Sequence, residues 1–265
     1  MQPTLMINGA AGRMGKRILS LAVESKAWKL VGAADCARHP DLGKDAGMLA
    51  GCEKIGIALN DRLEERADVL IDFSLPAAAD ASIAFCCQNK TALVLGTTGL
   101  APSHFEQLKK AAGSIAIVQA SNMSLGMNLL FTLVGRVAKG LGPEYDIEIV
   151  EAHHRMKKDA PSGSALSLAQ SICQETGRDF PDCLVHGREG KDALRQKGTI
   201  GMHALRGGDI VGRHSVIYST QGETVTISHD AHSRDTFARG ALRAAQWLLD
   251  KPAGLYSMQD VLGLK

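Results

Sequence analysis

The sequence is poor in aromatic residues: Phe, Tyr and Trp make up 4% of its 265 positions. Surfaces that stack nucleic-acid bases need such rings, which argues against that role. An excess of charge of either sign is also missing. Lys and Arg number 30 against 28 Asp and Glu, a formal net charge of +2 with a pI of about 8.2, so no nucleic acid or other polyanion is implied as a partner. No apolar run approaches the roughly 18–20 residues that span a bilayer, so no membrane partner is expected. Met1 to Asn8 lacks the charged-then-apolar layout of a signal peptide, and a cytoplasmic protein is the expectation. The six cysteines, Cys36, Cys52, Cys86, Cys87, Cys173 and Cys183, form no Cys-x-x-Cys pair. Neither a zinc site nor a dithiol redox motif is therefore expected, and reduced thiols fit a reducing compartment. Internal repeats, low-complexity tracts and long linkers are lacking too.

What is present is ordinary for a globular chain, 45% hydrophobic and 22% charged, with length for one large domain or two modest ones. Thr4–Asn8 is a short apolar run that ends at Gly9-Ala-Ala-Gly-Arg-Met-Gly15, and Lys16–Glu24 has helical spacing. Strand, glycine turn and helix form the setting a dinucleotide fingerprint requires, with Gly9, Ala10, Ala11, Gly12, Arg13 and Met14 against the pyrophosphate. The next strand, Lys29 to Asp35, ends in an acid 20 residues after Gly15, the place of a carboxylate that accepts from the adenosine ribose. A plain turn explains either piece singly; the two together favour a nucleotide. Further apolar runs at 67–73, 92–96 and 115–119 alternate with helical segments entered through Pro76 and Pro102, which predicts a parallel sheet covered on both faces. Ligands of such sheets lie beyond the strand carboxyl ends. Gly96-Thr97-Thr98 and Ala120-Ser121-Asn122-Met123 fall there, where loop capping is the competing explanation. Asp41–Gly51, with three glycines, reads as loop.

The pattern changes after residue 124. Met127–Leu141 reads as a helix, Tyr145–Glu151 as a strand, and Ala165–Cys173 as a helix. Thr199–Ala204, Ile210–Val211, Ser215–Thr220 and Thr224–His229 read as strands joined by turns at 207–209 and 221–223, which suggests antiparallel hairpins. His203, His214, His229 and His232 lack metal-ligand spacing, so structural or surface roles and no metal are expected. Arg234–Leu249 returns to helical periodicity and is placed back on the first domain. The expected domains are thus 1–124 with 234–265, and 125–233. Between strand and helix lies Glu151-Ala-His-His-Arg-Met-Lys-Lys-Asp-Ala-Pro-Ser-Gly-Ser-Ala165. It gathers proton donors, positive charge and helix N-terminal N–H groups, parts that suit a small carboxylate-bearing substrate. A solvated basic loop would show the same pair of histidines.

The string His153-His-x-x-Lys157-x-Asp-Ala-Pro-Ser-Gly-Ser164 closely resembles the signature of the 4-hydroxy-tetrahydrodipicolinate reductase (dihydrodipicolinate reductase) family. Gly9–Gly15, Gly96–Gly99, Asn122–Asn128 and Arg206–Gly212 match that family in order and separation. The resemblance implies a Rossmann-like domain completed by the C-terminal segment, and a mixed α+β domain that assembles homotetramers. It implies reduction of a cyclic dicarboxylate to tetrahydrodipicolinate with NADH or NADPH, on the route to diaminopimelate and lysine. By likeness His153 is the catalytic acid/base and Lys157 the second proton donor, while His154, Gly163 and Ser164 bind substrate. Ser164 replaces the family's usual threonine. The acid–Arg pair that serves NADPH in some members stands here as Asp35-Cys36, so NADH is expected to work at least as well. Another Rossmann amino-acid dehydrogenase would fit residues 1–124 equally, and a non-catalytic nucleotide-binding redox sensor would fit the fold.

Overall fold

The computed structural model describes residues 1–64 and 66–264. The chain forms two compact units, Met1–Leu125 with Arg234–Lys265, and Gly126–Ser233.

In the first unit the strands are β1 (Thr4–Asn8), β2 (Lys29–Ala34), β3 (Leu59–Asn60), β4 (Val69–Asp72), β5 (Ala92–Leu95), β6 (Ala116–Gln119) and β12 (Gly254–Tyr256). They form one sheet in the order β12-β6-β5-β4-β1-β2-β3, with every pairing parallel. Leu5, Ile7, Val69, Leu70 and Ile71 are each 0% exposed, as strands covered on both faces must be. Helices α1 (Arg13–Ser25), α3 (Pro76–Asn89), α4 (Pro102–Ala111), α7 (Asp235–Leu248) and α8 (Met258–Leu262) connect or cover them. Pro76 and Pro102 each open a helix, where a missing N–H costs nothing. Helix α7 buries Ala238, Ala241, Ala244, Ala245 and Leu248. Its Gly240 lies so close to the chain at Met123 that a Cβ would stand 1.7 Å from the Met123 carbonyl oxygen. The return of the C-terminal segment to the first sheet is anchored by Arg17, which grips the Asp235 carboxylate with two bonds of 2.8 Å.

The stretch 41–51, expected as loop, contains the one-turn helix α2 (Ala46–Leu49). Asp45 makes it: its carboxylate accepts from the Met48, Ile55 and Gly56 N–H groups, so these glycines serve a local knot. Strands β3 and β12 are two and three residues long, too short to show a period.

In the second unit β7 (Asp146–His153), β8 (Leu184–His186), β9 (Ile200–Arg206), β10 (Gly212–Thr220) and β11 (Glu223–Ala231) form a sheet in the order β11-β10-β7-β9-β8. Helices α5 (Leu125–Leu141) and α6 (Gly163–Thr176) cover one face. Their Val134, Leu168 and Ile172 pack on Ile147, Ile149, Val216 and Tyr218 of that face, and the Tyr218 hydroxyl donates to the Val134 carbonyl at 2.7 Å. The expected hairpins hold only for β10 and β11. Strand β9 runs parallel to β7, so the 207–209 turn carries the chain across β7 to reach β10. Ile210–Val211 is no strand, because pairing begins at Gly212.

Candidate active site

The predicted cofactor residues all lie at the carboxyl edge of the first sheet, beyond β1, β2, β5 and β6. Gly9 has φ +74°, and a Cβ there would stand 2.6 Å from the Phe73 carbonyl oxygen, so only glycine fits. The turn is tied to the end of β2 by Ala10 N–H donating to the Ala34 carbonyl and Ala11 N–H to Asp35 Oδ2, both at 2.9 Å. Gly12 caps α1 without a side-chain hydrogen bond, and the first turn, Arg13 and Met14 included, holds no acid. That end is therefore open to a pyrophosphate, which the helix dipole favours. Asp35 also accepts from Cys36 N–H at 2.8 Å. Asp35 and Cys36 line a cavity of about 490 Å³ together with Asn8, Arg62, Ser74 and Phe85.

Gly96 N–H bonds the Asp72 carbonyl at 2.9 Å, and Thr97 Oγ1 donates to Asp72 Oδ1 at 2.8 Å, while Thr98 is exposed. Ala120 N–H donates to the Leu95 carbonyl, Ser121 is exposed, Asn122 Oδ1 accepts from Ser124 N–H, and Met123 is buried. Asp72, which the sequence reading passed over, binds these ends together. Its carboxylate accepts from Asn8 Nδ2, Ser74 N–H, Ser74 Oγ, Ser82 Oγ and Thr97 Oγ1.

In the second unit, His153 ends β7 and sits beside Arg206 in the β9 register, while Glu151 faces His214 in the β10 register. Glu151 is 1% exposed. Arg206 donates from both Nη atoms to its two oxygens at 2.8 Å; Ser162 N–H donates at 2.9 Å; and His153 Nδ1 lies 2.6 Å from Oε2. The His153 and His214 rings meet edge to face at 5.1 Å. Ser162 caps α6 by accepting from Ala165 N–H, and its Oγ is 3.1 Å from His214 Nε2. Gly163 and Ser164 are the first two residues of α6. The turn before it is held by Lys157 N–H on the His154 carbonyl and by Gly207 N–H on the His153 carbonyl. Lys157 Nζ pairs with Asp159 at 2.9 Å.

Burial holds the His153 pKa below the usual histidine value; the Glu151 carboxylate opposes this, and the charges of Lys157 and Arg206 reinforce it. His214 is pushed down to about 4 by burial and by His153. The arrangement can present a proton at His153, cationic charge at Lys157 and helix N–H groups to one anionic ligand.

Residues 4–123 match the N-terminal region of dihydrodipicolinate reductase, and residues 126–262 match its C-terminal region. The chain belongs to the dihydrodipicolinate reductase family. Among relatives, the 4-hydroxy-tetrahydrodipicolinate reductase of Alkalilimnicola ehrlichii is 48% identical, with 100% of both chains covered. That of Trichlorobacter lovleyi is 45% identical over 98% of this chain and 99% of its own. The fold is also that of a dipicolinate-bound dihydrodipicolinate reductase from Paenisporosarcina sp. TG-14, with a TM-score of 0.76 at 22% identity, covering 98% and 99% of the two chains.

In this family member the sequence singles out His153 and Lys157, leaves Glu151, Ser162 and Arg206 without roles, and gives His214 only a structural or surface one. One signal for them was available. His214, Val216 and Tyr218 alternate on β10, as do Ile147, Ile149 and Glu151 on β7, and all six are buried. Polar groups on a buried face need partners.

Proposed function

We propose that this chain reduces 4-hydroxy-tetrahydrodipicolinate to tetrahydrodipicolinate with NADH or NADPH, in the synthesis of diaminopimelate and lysine. The observation that carries this is full-length identity of 48% to a reductase of that name, together with the complete 151–165 string at the β7–α6 turn. A dihydronicotinamide held at the glycine turn would supply the hydride. His153 gives the proton that quenches the displaced electron density, a service worth roughly 10²–10⁴-fold, and Lys157 is the second donor. His154 and the α6 N-terminus at Gly163 and Ser164 hold the substrate carboxylates. An absorbance assay of nucleotide oxidation, with substrate generated in situ, tests the reading; no oxidation with either nucleotide would sink it. A redox sensor would bind nucleotide and turn nothing over.

Asp35 supports a preference for NADH at least equal to that for NADPH, since its carboxylate repels a 2′-phosphate. Arg62, lining the same cavity as Asp35 and Cys36, is the cation placed to offset this. The assembly we propose is a homotetramer built on the second sheet. Thr224, Thr226 and Ser228 present an exposed row along β11, and Leu205 of β9 is 52% exposed, a surface and edge suited to pairing with copies. A monomeric mass by light scattering at micromolar concentration would refute it. Six free cysteines fit a cytoplasmic enzyme, and no described helix is long and apolar enough to cross a membrane.

A further inference from the structure

Among the described residues, Glu151 and Asp72 are the only buried carboxylates. Asp72 is surrounded by hydroxyl, amide and backbone donors of its own strand ends. Glu151 is different, because one of its partners is the ring of the proposed acid. Three elements converge on it: β9 through Arg206, the α6 cap through Ser162 N–H, and His153 of its own strand. Burial works to raise the Glu151 pKa, but the hydrogen bonds from Arg206, His153 and Ser162 outweigh it and hold it below the ordinary glutamate value. An ionised carboxylate only accepts, so the nitrogen 2.6 Å from it must donate. Neutral His153 thus carries its hydrogen at Nδ1 and its lone pair at Nε2. The Nε2 atom lies over Gly212, where a Cβ would stand 3.2 Å away, so the absent side chain leaves that nitrogen uncovered on this flank.

We infer that Glu151, clamped by Arg206, is a positioning residue that fixes the ring orientation and tautomer of His153 and so makes Nε2 the nitrogen that exchanges protons with substrate. This rests on His153 being the acid of the proposed reaction. In the step, the hydride adds to a ring carbon of the substrate and the displaced electron pair takes the proton from Nε2 of the doubly protonated His153 ring, which is left neutral with its hydrogen at Nδ1. The Nδ1–H bond to Glu151 stays intact throughout, and water restores the proton at Nε2 afterwards. The charged or titratable groups facing the ring are Glu151 from β7, Arg206 from β9, His214 from β10 and Lys157 from the following turn. Only Glu151 favours the protonated ring.

Glu151→Gln tests this because the geometry dictates how the amide sits. Oε1 accepts from two fixed donors, Arg206 Nη2 and Ser162 N–H, and Oε2 from one, Arg206 Nη1, beside the His153 ring that can change tautomer. The amide oxygen therefore takes the Oε1 position and the NH₂, at the expense of the Arg206 Nη1 bond, faces His153 Nδ1. A donor there forces Nδ1 to accept, and the hydrogen moves to Nε2. Histidine ¹⁵N spectra of the whole enzyme, with the His153 signal assigned by its loss in His153→Gln, are expected to show the Nδ1–H form in the wild type and the Nε2–H form in Glu151→Gln. In turnover, kcat should fall by about 10- to 100-fold, part of what a positioned donor supplies, with cofactor affinity unchanged. The alkaline limb of the kcat/KM profile, where His153 loses the proton it must donate, should move to lower pH because the charge that favours the protonated ring is gone, which a general loosening of structure would not produce. Arg206→Lys, which keeps the charge but loses the two-pronged grip, should give an intermediate loss of kcat. A wild-type His153 in the Nε2–H form overturns the inference without any variant having to fold, as does wild-type kcat in Glu151→Gln. Wild-type turnover in His153→Gln would instead overturn the role of His153 as the acid and leave the spectral result standing.

Discussion

His214 should make stability fall with acidity over a defined pH window. The residue is 3% exposed, and among the described residues its Nδ1 has no hydrogen-bond partner while its Nε2 lies 3.1 Å from the Ser162 hydroxyl. Burial and the neighbouring His153 push its pKa down to about 4, against about 6.5 in an unfolded chain. Between those values the unfolded chain binds a proton that the folded one refuses, so stability falls as pH falls. The contribution is complete above pH 6.5, declines from there to about 4 and is flat below. A gap of two to three units corresponds to about 3 kcal/mol in total, of which about 2 kcal/mol should be lost between pH 7 and pH 5. The perturbation is His214→Gln, which keeps a polar group beside Ser162 and removes the titration. Its fixed cost at neutral pH does not matter, because the observable is the difference in slope. His153 and His229 are also held below their usual values by burial, so some slope from them remains in both proteins. Urea titrations at several pH values suffice, followed by far-UV circular dichroism because Trp28 and Trp247 both lie in the other unit. Parallel stability profiles for the two proteins from pH 7 to pH 5 would show that His214 takes up its proton in the fold, and the reasoning would fail.

Three further outcomes are expected. Asp72→Asn sets an NH₂ against Asn8 and Ser82 or against Ser74 and Thr97, so at least one buried donor goes unmatched; stability should fall by about 2–4 kcal/mol, and a melting temperature within about 2 °C of wild type would refute this. His153→Ala and Lys157→Ala should each lose most turnover while keeping nucleotide affinity, Lys157→Ala with a nearly unchanged melting temperature and His153→Ala with a lowered one because buried Glu151 loses a hydrogen bond, and wild-type turnover in either removes that residue from the chemistry. Asp35→Ala should shift the kcat/KM ratio towards NADPH; a wild-type preference for NADPH of tenfold, about 1.4 kcal/mol, would show that Arg62 or another cation outweighs Asp35.

The first unit was legible because its strands are buried on both faces and read as unbroken apolar runs such as Val69-Leu-Ile-Asp72, bounded by Pro76, Pro102 and the Gly9 turn. Strands β3, β8 and β12 were not legible: two or three residues carry no period, and their conformation comes from neighbours that lend them a ladder. Parallel pairing of β9 with β7 was hidden for a related reason, since turn residues at 207–209 say that the chain reverses but not which strand it skips. At the candidate site, a local string points only to what is local. His153, Lys157, Gly163 and Ser164 lie within twelve residues of one another. Arg206 and His214 arrive by strand register from 53 and 61 residues beyond His153. Glu151 stood inside the string yet gained a role only when its burial was known.

The first unit draws on both ends of the chain, and this sets an order of assembly during synthesis. Residues 126–233 leave the ribosome as one uninterrupted stretch and have everything their sheet requires. The sheet that carries the glycine turn, though made first, must wait. Until α7 emerges, Met123 lacks its cover at Gly240 and Arg17 lacks Asp235; until residues 254–256 follow, β6 is a bare parallel edge. Such an edge invites pairing with other nascent chains. A ribosome that stops before about residue 250 would therefore release one finished unit joined to one that cannot close.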